Sequence, residues 1–136
     1  MTALPFDVLV VEDDSDLVSL MELVLTDAGY RVRTAPEGAA ALARVAEQMP
    51  GLILLDMRMP GMNGWEFARE FRARHGRACP IVVVTAAENA RARAAEVDAD
   101  GWLAKPFEID DVLRLVAPHA KAAAGHAAPG AAPAPG

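Results

Sequence analysis

Four polar positions in this chain carry residue types that could do chemistry together: the acidic run Glu12-Asp13-Asp14, then Asp56, Thr85 and Lys105. Carboxylates brought close together repel, so one must take a proton or a cation must offset them. The donors are oxygens, with no His or Cys near any of these positions. Such a set suits a hard cation, and Mg²⁺ is the natural choice because it keeps several waters and accepts phosphate oxygens. An ionised carboxylate beside Mg²⁺ and an ammonium can attack phosphorus and become an aspartyl phosphate. Offsetting charge on the phosphoryl oxygens is then most of what the protein must supply.

That chemistry requires distant residues to meet, and the pattern of elements explains how they do. Residues 8–11, 52–55 and 81–84 are short continuous runs of Val, Ile and Leu, suited to strands of a parallel sheet covered on both faces. Residues 30–34 alternate more and read as an edge strand, and residues 102–104 form a weaker fifth candidate. Between them lie helical patterns. Leu17, Leu20, Met21 and Val24 follow a 3.6 period, with Ser15 as N-cap and Gly29 as the stop. Residues 37–47, 64–74 and 88–97 read as three further helices, and 108–116 as a fifth that buries Ile109, Val112, Leu113 and Val116. Five β-α units in sequence predict a doubly wound α/β fold, a parallel sheet with right-handed crossovers and helices on both faces. Glu12, Asp56, Thr85 and Lys105 each follow or end an apolar run, so all lie at the carboxyl edge of such a sheet, where open α/β folds hold ligands.

These residues resemble the response-regulator receiver domain of two-component signalling, a CheY-like family. The resemblance rests on Glu12-Asp13 after the first strand, the run from Leu55-Asp56-Met57-Arg58 through Pro60-Gly61 to Asn63-Gly64, Val84-Thr85-Ala86, and Lys105-Pro106-Phe107. Each motif alone is weak; four in order, each at a strand end, are specific. The resemblance implies the flavodoxin-like strand order 2-1-3-4-5, for which a receiver is itself a standard example. It implies Asp56 as phosphoacceptor and Asp13 and Asp56 as direct Mg²⁺ ligands. Glu12 would act through a bound water and the Arg58 backbone carbonyl would be a further ligand. Lys105 would contact the phosphoryl group and Thr85 would hydrogen-bond to it. Thr85 and Trp102 would form the switch, Trp102 standing where the family has Tyr or Phe. The Lys105–Pro106 bond is expected to be cis. Three departures stand out: a short interval from Thr85 to Lys105, which predicts a trimmed or irregular fourth helix; Asp98 in place of a glycine; and the bulk of Trp102.

Taken singly, several of these residues have plainer readings. Acids at 12–16 suit a helix N-terminus, Thr85 a strand end, and Lys105 a solvated charge. Trp65 reads as core packing, Cys79 as inert, and the basic residues Arg69, Arg72, Arg74 and Arg77 as a solvated helix face. His75, His119 and His126 lie far from the strand ends.

Composition excludes other classes. The 136 residues suffice for one domain, expected over 1–119, with an Ala/Pro/Gly-rich disordered tail or linker stump over 120–136. No apolar run approaches the ~18–20 residues of a membrane span. A single cysteine fits a reducing cytosol, and a formal charge of -6 argues against general nucleic-acid binding. A haloacid-dehalogenase-type phosphatase would need an acid where Arg58 stands. A flavin carrier would not place three acids in its phosphate loop, and no glycine-rich nucleotide loop occurs. The expectation is a cytoplasmic single-domain response regulator, not an enzyme in the usual sense, although it assists its own phosphorylation and dephosphorylation. Its partners would be a histidine kinase or phosphotransfer protein and a downstream protein, with a phosphorylation-linked homodimer as a further candidate. Two alternatives stay open: a receiver-fold interaction module independent of phosphorylation, and the receiver part of a longer regulator.

Overall fold

The computed structural model describes residues 5–127. Five strands alternate with five helices: β1 (Asp7–Val11), α1 (Ser15–Asp27), β2 (Arg31–Ala35), α2 (Gly38–Glu47), β3 (Leu52–Asp56), α3 (Gly64–His75), β4 (Ile81–Ala86), α4 (Ala90–Glu96), β5 (Gly101–Lys105) and α5 (Ile109–Ala127). The sheet is wholly parallel, as the residue pattern predicts, in the order β2-β1-β3-β4-β5 that the resemblance implies.

The two-residue period of the strands divides the core. Leu9, Val11, Ile53, Leu55, Ile81 and Val83 face one way, against Leu42 and Val45 of α2, Phe67 and Phe71 of α3 and Ala94 of α4. Val8, Val10, Leu52, Leu54, Val82 and Val84 face the other way, against Met21 and Leu25 of α1 and Val112 and Val116 of α5. Each fully buried aliphatic side chain contributes roughly 1.5–3 kcal/mol. That burial holds the central strands firmly enough for their carboxyl ends to carry clustered charge.

Most element boundaries differ from the sequence reading by a residue or two, and the larger or better-explained differences have identifiable causes. Asp14, not Ser15, caps α1: its Oδ1 accepts from the N–H groups of Asp16 and Leu17, at 3.0 and 3.2 Å. A carboxylate there also meets the positive end of the helix. Strand β2 starts one residue late, because the Tyr30 N–H bonds to Leu25 O (3.1 Å) and closes the end of α1. The fourth helix is shortened as expected, to seven residues preceded by a 3₁₀ turn over Ala87–Asn89. Asn89 makes no side-chain capping bond, and Asp98 takes the left-handed conformation with φ 53°. The fifth helix overruns its expected end and continues through Pro118 to Ala127. The helix thus runs into the stretch from residue 120 expected to be a disordered tail or linker, and the remainder of that stretch lies outside the described residues. Alanine has the highest helix propensity, so once Val112 and Val116 dock the first turns, an Ala-rich continuation propagates despite the donor that Pro118 lacks.

Candidate functional site

The acidic run after β1 divides into three tasks. Glu12 donates its N–H to Ala35 O (3.0 Å), which fixes it at the end of the β1–β2 pair, and its side chain is buried. Glu12 Oε2 accepts the Asp14 N–H at 3.2 Å. Asp13 is exposed, and Asp14 is occupied in capping α1. The carboxylates that gather are those of Glu12, Asp13 and Asp56, with one oxygen from each within 4.8 Å of the others.

Asp56 ends the central strand β3, opposite Val84 of β4, and is 5 % exposed. Burial, then the charge of Glu12, push its carboxyl from 3.8 up to about 7, against a smaller opposing pull from Lys105. The Arg58 N–H donates to Asp56 Oδ1 at 3.3 Å. Lys105 Nζ reaches in from the end of β5, 3.2 Å from Glu12 Oε1 and 3.8 Å from Asp56 Oδ1. One ammonium stands among three carboxylates, an excess of negative charge that adds to burial in raising Asp56. An all-oxygen cluster with that excess fits a hard divalent cation such as Mg²⁺.

The loop after Asp56 is clamped on two sides. Glu37, the N-cap of α2, accepts from Ala39 and Ala40 and also from the Met62 N–H at 3.3 Å. Those bonds, Ala39 first, hold its carboxyl below the usual range. At the start of α3, Asn63 and Glu66 form a reciprocal capping box. A Cβ on Gly64 would lie 2.7 Å from Met57 Cα and 2.8 Å from Asp56 O, so glycine alone lets α3 start against the backbone of the acidic residue. The Lys105–Pro106 peptide is cis, as expected.

Thr85 is buried, paired with Ala104 one step beyond the Asp56–Val84 pair, and so stands at the same sheet edge. Trp102 pairs with Val83 and is 45 % exposed, beside Pro106, Arg114 and Leu115. The exposed Arg58 side chain points to the Trp65 ring (5.8 Å to the centroid), not to the acids. Sequence reasoning missed Glu37 and the reach of Trp65, since contacts made by long side chains across elements leave no spacing signal. Cys79 is buried, and burial pushes its thiol up to about 12, which fits inertness.

Comparison with known proteins follows the same lines. The family model described as the response regulator receiver domain matches residues 8–117. The response regulator ArlR of Staphylococcus aureus is 34% identical over 111 residues, covering 80% of this chain and 50% of that protein. This chain thus spans about half the length of the curated relatives it matches. Chemotaxis protein CheY4 of Vibrio cholerae superposes with TM-score 0.76 at 32% identity, covering 85% of this chain and 98% of that one. A response regulator from Chloroflexus aurantiacus gives TM-score 0.76 at 34% identity with the same coverages. Among the described residues no helix is long and apolar enough to cross a membrane.

Proposed function

Because this chain belongs to the response-regulator receiver family, we propose that it accepts a phosphoryl group on Asp56 in an Mg²⁺-dependent reaction and changes its protein contacts in response. The observation that carries this reading is the gathering of Glu12, Asp13, Asp56 and Lys105 at one sheet edge, with Asp56 at its centre.

Asp13 and Asp56 would hold the cation directly, Glu12 through a water, with the Arg58 carbonyl as a further ligand. When bound, Mg²⁺ would offset carboxylate charge and polarise the phosphoryl oxygens. An Asp56 carboxylate oxygen attacks the phosphorus of a phosphohistidine; the P–N bond breaks as the P–O bond forms, and the imidazole leaves with the bonding pair. Lys105 follows the charge as it moves onto the phosphoryl oxygens, and the Arg58 N–H orients the attacking carboxylate. Thr85 is the hydroxyl placed to reach the transferred group from β4. The donor would be a histidine kinase or phosphotransfer protein and the readout a protein partner. The chain supplies positioning and charge rather than turnover of a substrate.

The test is intact-mass spectrometry after acetyl phosphate treatment. A phosphoryl-sized gain should require Mg²⁺ and vanish in Asp56→Asn. An undiminished gain in Asp56→Asn refutes the assignment.

A further inference from the structure

Arg58 lies two residues beyond Asp56, and its guanidinium carbon sits 5.8 Å from the centroid of the Trp65 ring. Arg93, from α4, brings its guanidinium to 5.7 Å from the same centroid. The Trp65 indole N–H donates to Glu96 Oε1 at 2.8 Å, and Glu96 Oε2 pairs with Arg93 at 2.9 Å. One half-buried indole thus joins the loop leaving Asp56, the first turn of α3, and α4.

Ordinary core packing asks only that an indole's rings be covered. Here two like charges are gathered against one ring, an arrangement that repels unless the π face attracts each cation and a carboxylate offsets the excess. Glu96 supplies that charge and is itself tied to the ring by the indole N–H, a charge-assisted bond. The Arg93 Nε is buried without a hydrogen-bond partner among the described residues, so ring and Glu96, not a closed polar network, hold this side chain. Helix α4 has only seven residues and no side-chain cap, and therefore depends on such tertiary contacts. At the other end, the Arg58 peptide donates its N–H to Asp56. A guanidinium held on the ring narrows the conformations open to that peptide.

We propose that Trp65 is a positioning residue: by holding Arg58 to the Arg93–Glu96 pair of α4, it sets the peptide that orients Asp56 and couples the site to α4 through the β3–α3 loop. This link is separate from the strand β4 that carries Thr85. Its bearing on the site rests on the reading of Asp56 above, while the clamp belongs to the chain with or without a ligand. The coupling is reciprocal, so displacement of α4 loosens Arg58 as surely as a change at Arg58 moves α4.

The experiment uses the full chain in three variants, Trp65→Leu, Trp65→Phe and Arg93→Ala, with two readouts. Amide hydrogen exchange is followed without metal, and affinity for MgCl₂ is measured by calorimetry. Exchange at the amides of residues 57–59 should rise by about fivefold or more in Trp65→Leu and Arg93→Ala, with Trp65→Phe between them and wild type. Mg²⁺ affinity should fall in the same order, by about fivefold in Trp65→Leu. Arg93→Ala keeps the test alive if Trp65→Leu fails to fold. Unchanged exchange at 57–59 in Arg93→Ala overturns the link to α4. Raised exchange with wild-type Mg²⁺ affinity overturns the positioning role. A wild-type protein that takes up no Mg²⁺ defeats the proposed function instead, and the exchange measurements then still decide the clamp.

Discussion

Lys105 Nζ stands 3.2 Å from Glu12 Oε1, so the one ammonium at this acidic corner pairs most closely with the buried acid that follows β1. The pair joins the end of β5 to the end of β1 across β3 and β4, and it is only partly shielded, Lys105 being about a third exposed. Its removal leaves a buried carboxylate without its counter-charge. Lys105→Met should therefore lower stability by about 1–2 kcal/mol at pH 8 in EDTA, and Mg²⁺ should recover part of the loss. Urea melts with and without Mg²⁺ read this directly. A wild-type midpoint in EDTA would show that the contact is solvent-screened.

The Asp56 carboxyl gives a pH dependence with a definite sign. Folding raises it from 3.8 to about 7, chiefly by burial, so the folded chain binds this proton more tightly than the unfolded one. The stability it contributes is fully present below its unfolded value and lost as pH rises through about 7. In EDTA, wild type should lose on the order of 2–4 kcal/mol relative to Asp56→Asn between about pH 4 and pH 8. Parallel pH profiles for the two proteins would contradict this.

Asp13 is the exposed member of the cluster and has the least to lose on desolvation. Asp13→Asn removes a formal charge from the ligand set, so Mg²⁺ affinity should fall by at least about tenfold. Relief of repulsion leaves the metal-free fold no less stable. Calorimetric titration of MgCl₂ into both proteins decides the point, and equal affinities would remove Asp13 from the ligand set.

Much of this was legible in the sequence because apolar runs and the residues that end them are local signals. The runs at 52–55 and 81–84 are buried almost completely, which a two-faced parallel sheet requires. The polar residues after them needed only the topology to converge. Boundaries were less legible because neighbours compete for one role. Asp14 and Ser15 are both good N-caps, and only the completed turn shows which side chain takes the free N–H groups. The run through Pro118 was hidden because alanine-rich composition reads as a tail until a docked helix precedes it. Arg33 shows the largest gap. On an edge strand its charge suggests solvent, yet it pairs with Asp7 and donates to Arg44 O and Gln48 O, both at 2.8 Å.

That Arg33–Asp7 pair is nearly buried, at 11% and 7% side-chain exposure, and also satisfies carbonyls at the end of α2. Removing one partner strands the other, so Arg33→Ala should cost about 3 kcal/mol. Asp7→Asn, which keeps an acceptor for the guanidinium, should cost less. Denaturant melts of the two variants give the comparison, and a loss under about 1 kcal/mol for Arg33→Ala would place the pair among surface ion pairs.

The remaining prediction concerns how a phosphoryl group on Asp56 would be read. Thr85 is buried one residue past the strand position opposite Asp56, and its partner Ala104 is two residues from Trp102 on β5. New acceptor oxygens on Asp56 would draw the Thr85 hydroxyl and the loop after β4 toward the site and so vacate space beside α4. Trp102, nearly half exposed against Pro106 and Leu115, is the side chain free to respond. Two populations follow, with phosphorylation favouring the one in which Thr85 is engaged. Indole bulk limits inward rotation, so a partial change in exposure is expected. Trp65→Phe keeps a ring for Arg58, though it gives up the bond to Glu96, and leaves Trp102 as the sole indole. Beryllofluoride with Mg²⁺, a phosphoryl mimic, should shift that emission, and Thr85→Ala should weaken the shift. Flat Trp102 emission while beryllofluoride demonstrably binds would show that Thr85 and Trp102 are not coupled in this chain.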